Sequence, residues 1–377
     1  MRRAVAALCA LVLLHFWGVA RCEGADSPLD LQAKAAILMD RATGRVLYEY
    51  NADEMLPIAS TTKVMTALLA LERSELDEIV TVGPDASGVP GTSIYLGVGE
   101  QLTMHQLLLG LLLRSGNDAA VAIADHVGGS TGAFVDLMNA RAGQLGADAH
   151  FANPHGLDQD GHRASARGMA KIACAAMALP TFRELVATRR AVIPWQDNQY
   201  SRVLENKNRL LIEYEGATGI KTGFTDDAGR CLIFSAQREG AEYVGVLLGC
   251  GGWFAAAGAL LDWGFATYDP VLAAQKGGHL AEVDVRGGER RTVVAAAVDD
   301  LVAPICATDE WRVELELPEY LTAPVRPGQK LGHAAVIANG AVLSQVELAA
   351  GDGVEAWNLW TAIRAVARRW SIGALCE

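Results

Sequence analysis

Pro57-Ile58-Ala59-Ser60-Thr61-Thr62-Lys63, followed by the apolar run Val64 to Leu71, reads as the start of a helix. Residues three apart on a helix lie one above the other on the same face. Ser60 and Lys63 therefore present a hydroxyl and an amine to one point in space. A buried lysine can lose its proton, and a neutral amine beside a serine is a base beside a nucleophile. The pair decides little by itself. Ser-x-x-Lys arises by chance roughly once in a chain of this length, and a serine near a helix start is usually a cap.

The bulk properties narrow the field. The chain has 377 residues, enough for one large domain or two of ordinary size. With 51% hydrophobic and 20% charged residues it is a folded globular protein. A net charge of −12 without a block of like charges excludes nucleic acid as the partner, because phosphate binding needs a cationic surface. Arg2-Arg3, the apolar core Ala4 to Val19 and the small residues Gly18-Val19-Ala20 predict a secretory signal peptide over residues 1–20, hence an exported protein. The apolar run is short for a membrane-spanning anchor. The later cysteines, Cys174, Cys231, Cys250, Cys306 and Cys376, are scattered and lack metal-like spacing. Cys231 and Cys250, on successive predicted strands, are the best-placed pair for a disulfide. The favoured reading nevertheless makes them small buried apolar residues.

Along the chain, Ala35 to Asp40 and Val46 to Tyr50 form a predicted hairpin that delivers the chain to the Ser60 helix. Leu102 to Leu113, leucine-dense and almost uncharged, predicts a buried core helix. It runs into Ser115-Gly116-Asn117-Asp118, which also fits a plain interhelical turn with a C-terminal glycine and an N-cap. Helices are expected over 119–127, 134–145 and 165–177. Between the last two lies the turn-rich loop Asn153-Pro154-His155-Gly156-Leu157-Asp158. His150, His155 and His162 are read as loop structure, because no helical ligand spacing accompanies them. Gly219-Ile220-Lys221-Thr222-Gly223-Phe224-Thr225 is a glycine-flanked strand, and a glycine on a strand lets a ligand approach closely. A hairpin over Arg238-Glu239-Gly240 and a helix over 255–268 close this part.

Beyond Pro270 short apolar pieces alternate with glycine and proline, and Asn339-Gly340 between two such pieces signals a hairpin. The expected division is a catalytic domain over 26–275, a small β-sandwich-like domain over 276–353 and an amphipathic helix over 354–377. On that helix Leu359, Trp360, Ile363, Val366 and Trp370 share one face, and Arg364, Arg368 and Arg369 share the other. Such a helix suits a membrane surface, with docking on the β domain as the alternative.

Ser-x-x-Lys, Ser-x-Asn and Lys-Thr-Gly follow in order at Ser60-Lys63, Ser115-Asn117 and Lys221-Gly223, in a helix start, an interhelical loop and a strand. In this order the chain resembles the penicillin-recognising serine enzymes, and within them a low-molecular-mass penicillin-binding protein of the serine-type D-alanyl-D-alanine carboxypeptidase kind. The likeness extends to Ala59–Thr66, Asn153–Leu157 and Gly219–Thr225.

The resemblance implies an α+β fold, with an antiparallel sheet flanked by helices, an all-helical half and a trailing β domain. It implies that Ser60 attacks the peptide bond between two D-alanines of a peptidoglycan pentapeptide, and that β-lactam antibiotics acylate it. Lys63 would be the base and Ser115 the proton relay. Asn117 would hold Lys63 or the substrate amide, and Lys221 would keep the site electropositive. Thr222 and Thr225 would bind the terminal carboxylate beside Gly223. The N–H groups of Ser60 and Phe224 would form the oxyanion hole. No metal or organic cofactor is called for. A β-lactamase of the same fold would need a deacylating carboxylate between the second and third motifs, where only Glu184 and Glu205 stand, neither in a Glu-x-x-Leu-Asn setting. An idle wall-binding protein would not need Ser60, Lys63 and Lys221 intact.

Overall fold

A computed structural model of the chain describes residues 29–195, 200–360 and 362–363. The predicted signal peptide, Cys376 and most of the expected C-terminal helix lie outside the described residues. Five antiparallel strands make the central sheet, in the order Val46–Tyr50, Ala35–Asp40, Ala241–Leu248, Gly229–Arg238, Ala217–Thr225. Both predicted hairpins are present. The unbroken apolar run Ala35 to Met39 follows from burial on two sides. Ala35, Ile37 and Met39 face the core shared with the helical half, while Ala36 and Leu38 face the core under the long helix Trp253–Thr267. Each fully buried aliphatic side chain of this kind contributes about 1.5–3 kcal/mol, so the sheet is a rigid frame. Lys221-Thr222-Gly223 lies on its edge strand, whose outer backbone side faces the helical half across a cleft.

The helical half is built from Lys63–Arg73, Met104–Leu109, Asn117–Gly128, Thr131–Gln144, Ala166–Met177 and Pro180–Ala187. The leucine-dense stretch is buried as expected, but it is not one regular helix. A capping box between Thr103 and Gln106 starts it, and it widens into a π turn over Gly110–Arg114. It ends at Ser115, whose φ of 66° and ψ of 36° place it in the left-handed region. π turns and left-handed non-glycine residues concentrate at functional positions.

Cys231 and Cys250 form no disulfide. Both thiols are free and buried. Cys231 joins the core on the helical side of the sheet and Cys250 the core on the other, where its thiol donates to Leu31 O at 3.1 Å. They are the small buried apolar residues that the sequence favours.

From Tyr268 the chain enters an all-β region. Tyr268–Ala274 pairs with Leu301–Cys306, and six further strands form a sheet that includes the Lys330–Ala338/Ala341–Ala350 hairpin over Asn339-Gly340. Asn339 and Gly340 have φ of 50° and 80°, as a tight hairpin turn requires. A buried ion pair ties the two regions. Arg45, in the turn of the first hairpin, donates two hydrogen bonds to Asp309 at 2.7 and 2.9 Å and a third to Pro304 O at 2.6 Å. Its guanidinium also stacks on Tyr268, 5.1 Å from the ring centroid. Both side chains are almost fully buried, at 2% and 0% exposure. Asp309→Ala leaves that guanidinium without a counter-charge, so it is expected to cost about 3–5 kcal/mol. Urea unfolding followed by tryptophan fluorescence checks this, and an unchanged midpoint would remove the pair from its role as the tie.

Candidate active site

Ser60 is not a cap. It sits inside a 3₁₀ turn, Ala59–Thr62, that precedes the helix Lys63–Arg73, and no side chain caps that helix. The neighbouring hydroxyls are tied back to the main chain: Thr61 Oγ1 donates to Ile58 O at 2.6 Å and Thr62 Oγ1 to Ala59 O at 2.8 Å. Ser60 Oγ alone points at Lys63, whose Nζ is 2.9 Å away. The spacing of three residues delivers the predicted contact.

Lys63 is fully buried. Its amine contacts Asn117 Oδ1 at 2.7 Å and the carbonyl of His155 at 2.5 Å, besides Ser60. No carboxylate touches it among the described residues. Burial, then the positive charges of Lys221 and Lys207, push its pKa well below the ordinary lysine value, against a smaller opposing pull from Asp118. A neutral amine has two protons and one lone pair. Asn117 Oδ1 and His155 O can only accept, so they take the two protons. The lone pair is then left for the Ser60 hydroxyl to donate to. The three contacts thus match a neutral lysine poised as base.

The second motif is held by its own loop. Asn117 is buried, and its Nδ2 donates to Pro90 O at 2.6 Å, which fixes Oδ1 toward Lys63. Asp118 next to it is also fully buried and accepts hydrogen bonds from Ser93 Oγ and from the N–H groups of Ile94, Leu96 and Ala119. It anchors the loop over 93–96 that walls the cleft. Ser115 is 4% exposed, and its hydroxyl has no hydrogen-bond partner among the described residues.

On the edge strand, Lys221 is buried and donates to Thr222 O at 2.8 Å. Burial, then Lys207, lower its pKa to about 7. Gly223 passes so close to the turn that a Cβ there would lie 2.9 Å from Ser60 N. Thr222 is nearly buried and Phe224 is 60% exposed beside the cleft. Thr225 is not free. Its hydroxyl donates to Asp158 Oδ1 at 2.7 Å and accepts from Ala228 N at 3.2 Å. Ser60, Lys63, Asn117, Lys221 and Gly223 are therefore brought together, while Thr225 is bound across to the histidine loop.

That loop supplies what sequence reasoning missed. His155 contributes its carbonyl, not its ring. Gly156 packs so tightly that a Cβ would clash with Ala59 O at 2.0 Å. His162 Nδ1 accepts from Ala152 N at 3.0 Å, which leaves Nε2–H to donate to Thr62 Oγ1 at 2.7 Å. Burial, then His150, lower its pKa to about 4, so the ring stays neutral. His150 likewise binds within the loop, to Gly161 O at 3.0 Å. Lys207 is the other omission. A lone lysine in a weakly patterned segment gave no signal beforehand.

Residues 22–251 match the family model for D-alanyl-D-alanine carboxypeptidase, and residues 268–356 match that for the penicillin-binding protein 5 C-terminal domain. The chain is 30% identical over 358 residues to the D-alanyl-D-alanine carboxypeptidase DacF of Bacillus subtilis, covering 92% of both chains. It is 33% identical over 345 residues to DacC of Escherichia coli, covering 86% of this chain and 85% of that one. Among solved structures, penicillin-binding protein 5 from Haemophilus influenzae superposes with a TM-score of 0.72 at 28% identity, covering 88% of this chain and all of that one. With a match over more than half its length and a serine–lysine pair in the cleft, the chain belongs to the D-alanyl-D-alanine carboxypeptidase family, serine peptidases of the penicillin-binding class.

Proposed function

We propose that Ser60 is the nucleophile and Lys63 the general base of acyl transfer on peptidoglycan stem peptides ending in D-alanyl-D-alanine. The observation that carries these roles is the Lys63 amine, buried with two obligate acceptors and the Ser60 hydroxyl as its third partner. Ser60 Oγ gives its proton to Lys63 Nζ and bonds to the carbonyl carbon between the two D-alanines. The N–H groups of Ser60 and Phe224 hold the oxyanion. The C–N bond then breaks, and the departing amine receives a proton through Ser115. Water releases the acyl group from Ser60 in the second half of the cycle. Lys221 and Thr222 receive the terminal carboxylate. Thr225 joins them only by exchanging its bond to Asp158. A β-lactam enters the same sequence and stays as the acyl adduct. Glu184 and Glu205 are both exposed, outside the buried cluster where a lactamase base would have to stand.

The domain division of the sequence reading belongs to the same proposal: chemistry over 26–275, a β-sandwich-like spacer over 276–353 and a terminal helix over 354–377. Among the described residues no helix is long and apolar enough to cross a membrane. Leu359, Trp360 and Ile363, at the start of the terminal helix, are exposed apolar side chains. They support peripheral attachment of an exported enzyme to the membrane surface.

A fluorescent penicillin tests the nucleophile. The wild-type chain is expected to take up one stable label, and Ser60→Ala none, with D-alanine release from a pentapeptide lowered by about 10⁴-fold or more. Label on the Ser60→Ala protein would refute the assignment, and rapid loss of label from the wild type would favour a lactamase. The pH dependence tests the lysines. Lys221, with a pKa of about 7, is charged below that pH and neutral above it. Carboxylate binding is therefore expected to weaken as pH rises through about 7, read as a rising KM. Protonation of Lys63 lowers kcat on the acid side. Lys221→Arg keeps its charge at all these pH values, so it should abolish the alkaline rise in KM. An unchanged limb would assign the titration to another group.

A further inference from the structure

Arg202 is a buried cation outside the serine–lysine cluster. It lies on the inner face of the hairpin formed by Arg190–Trp195 and Tyr200–Glu205, cross-strand from Ile193 and two residues from Leu204. Those two apolar side chains belong to the core of the helical half, and Arg202 sits beside them at 6% exposure. A charge in such a place is costly unless it is paired and hydrogen-bonded. Its partner is Glu100, and the contact is bidentate: Nη1 donates to Oε1 at 2.6 Å and Nη2 to Oε2 at 2.7 Å. Nη1 also donates to Pro194 O at 2.8 Å, and the Trp195 ring centroid lies 5.3 Å from the guanidinium.

The remaining bond of the guanidinium reaches the cleft wall. Nη2 donates to Tyr95 O at 2.9 Å, and Glu100 Oε2 accepts from Gly97 N at 3.0 Å, so the ion pair grips the loop at two points. Tyr95 has φ of 61°, a left-handed conformation strained for a bulky side chain. Its carbonyl meets Arg202, while the N–H groups of Ile94 and Leu96 on either side meet Asp118. The same loop rests on the second motif. Asn117 N donates to Thr92 O at 2.7 Å and its Nδ2 to Pro90 O at 2.6 Å. A Cβ on Gly91 would lie 2.9 Å from that Nδ2. The Ile94 side chain fills the space over Gly110 and Gly116, where an added Cβ would meet it at 2.5 and 3.3 Å. It thereby brackets the turn that carries Ser115.

We propose that Arg202 is a positioning residue, which with Glu100 clamps the loop over 90–100 onto Asn117 and Ser115 and so keeps Lys63 in its dry, neutral setting. The inference rests on the roles proposed above for Lys63 and Ser115. Arg202 acts through Asn117, whose backbone N–H and Nδ2 are both tied to the loop. Asn117 Oδ1 therefore stays 2.7 Å from Lys63 Nζ only while the loop keeps its place. A guanidinium suits this work and an ammonium does not. Only the planar fork makes two parallel bonds to a carboxylate and keeps a further N–H for a carbonyl.

Arg202→Lys tests this, read by D-alanine release from a pentapeptide. Its kcat is expected to fall about ten- to a hundredfold, the effect of displacing a reacting group by about 1 Å. KM should stay within about twofold, because Lys221 and Thr222 are untouched. The acid limb of the kcat profile should also move to higher pH. A loosened Asn117 admits water to Lys63, and burial is the first cause of its lowered pKa, so wetting raises that pKa. The other charges acting on Lys63, those of Lys221, Lys207 and Asp118, are the same in the variant. A residue that served stability alone would leave the limb in place. Arg202→Met combined with Glu100→Met removes both charges without stranding either, and serves if the single variant fails to fold. Its thermal midpoint should approach that of the wild type while kcat stays low. A folded variant with wild-type kcat and an unmoved acid limb would overturn the inference and leave the proposed function standing. So would a loss of kcat that only follows the folded fraction. A wild type that takes no penicillin label on Ser60 would bring down both readings.

Discussion

Everything in the cleft depends on taking one amine out of water without giving it a counter-charge. A buried lysine beside a carboxylate would stay protonated and be useless as a base. Lys63 is instead surrounded by two carbonyl-type acceptors, one hydroxyl and two other cations. Asp118 is the acid close enough to matter, and its oxygens are already occupied by Ser93 and three backbone N–H groups. The protein thus keeps a negative charge near the site for structure while withholding it from the amine.

Holding such an arrangement needs rigid walls at very short range. Gly156 and Gly223 are the two places where this is visible. At Gly156, whose φ is 88°, the loop lies directly on the Ser60 turn, and at Gly223 the edge strand does the same from the other side. A side chain at either position would force the turn to move, and with it the Ser60 hydroxyl relative to Lys63. The His162–Thr62 bond pins the remaining side of the turn. Ala59, with φ of 48°, shows the strain this enclosure imposes just before Ser60.

What was legible in the sequence divides along physical lines. Strands and hairpins of the central sheet could be read because both faces are buried and the runs are apolar end to end, as at Ala35–Met39. Ser60, Lys63, Asn117 and Lys221 could be read because side-chain chemistry recurs at fixed spacings. The His155 carbonyl could not, since a backbone group carries no residue-type signal. Nor could Lys207 or the Thr225–Asp158 bond, which depend on which loops meet across the cleft. Cys231 and Cys250 are the buried apolar residues the sequence reading favoured, but the geometric reason they do not pair was not legible. Proximity along successive strands says nothing about which face each thiol occupies, and these two occupy opposite ones.

The two buried lysines also differ in a way that a bound carboxylate would sharpen. Lys221 and Lys63 are both buried and both depressed, and Lys221 is among the causes of the lowered Lys63 pKa. A carboxylate arriving at Lys221 raises that lysine's affinity for its proton, since an opposite charge favours the charged form. Lys221 then becomes a fuller cation, which holds Lys63 more firmly in its neutral state. Coupled groups of this kind titrate as a unit, so binding sorts the one shared tendency to lose a proton into a cation at the carboxylate and a free base at the serine. The acidic bulk of the chain does not interfere, because the carboxylates near the cleft are spent on hydrogen bonds within its own walls, as Asp118 and Asp158 show.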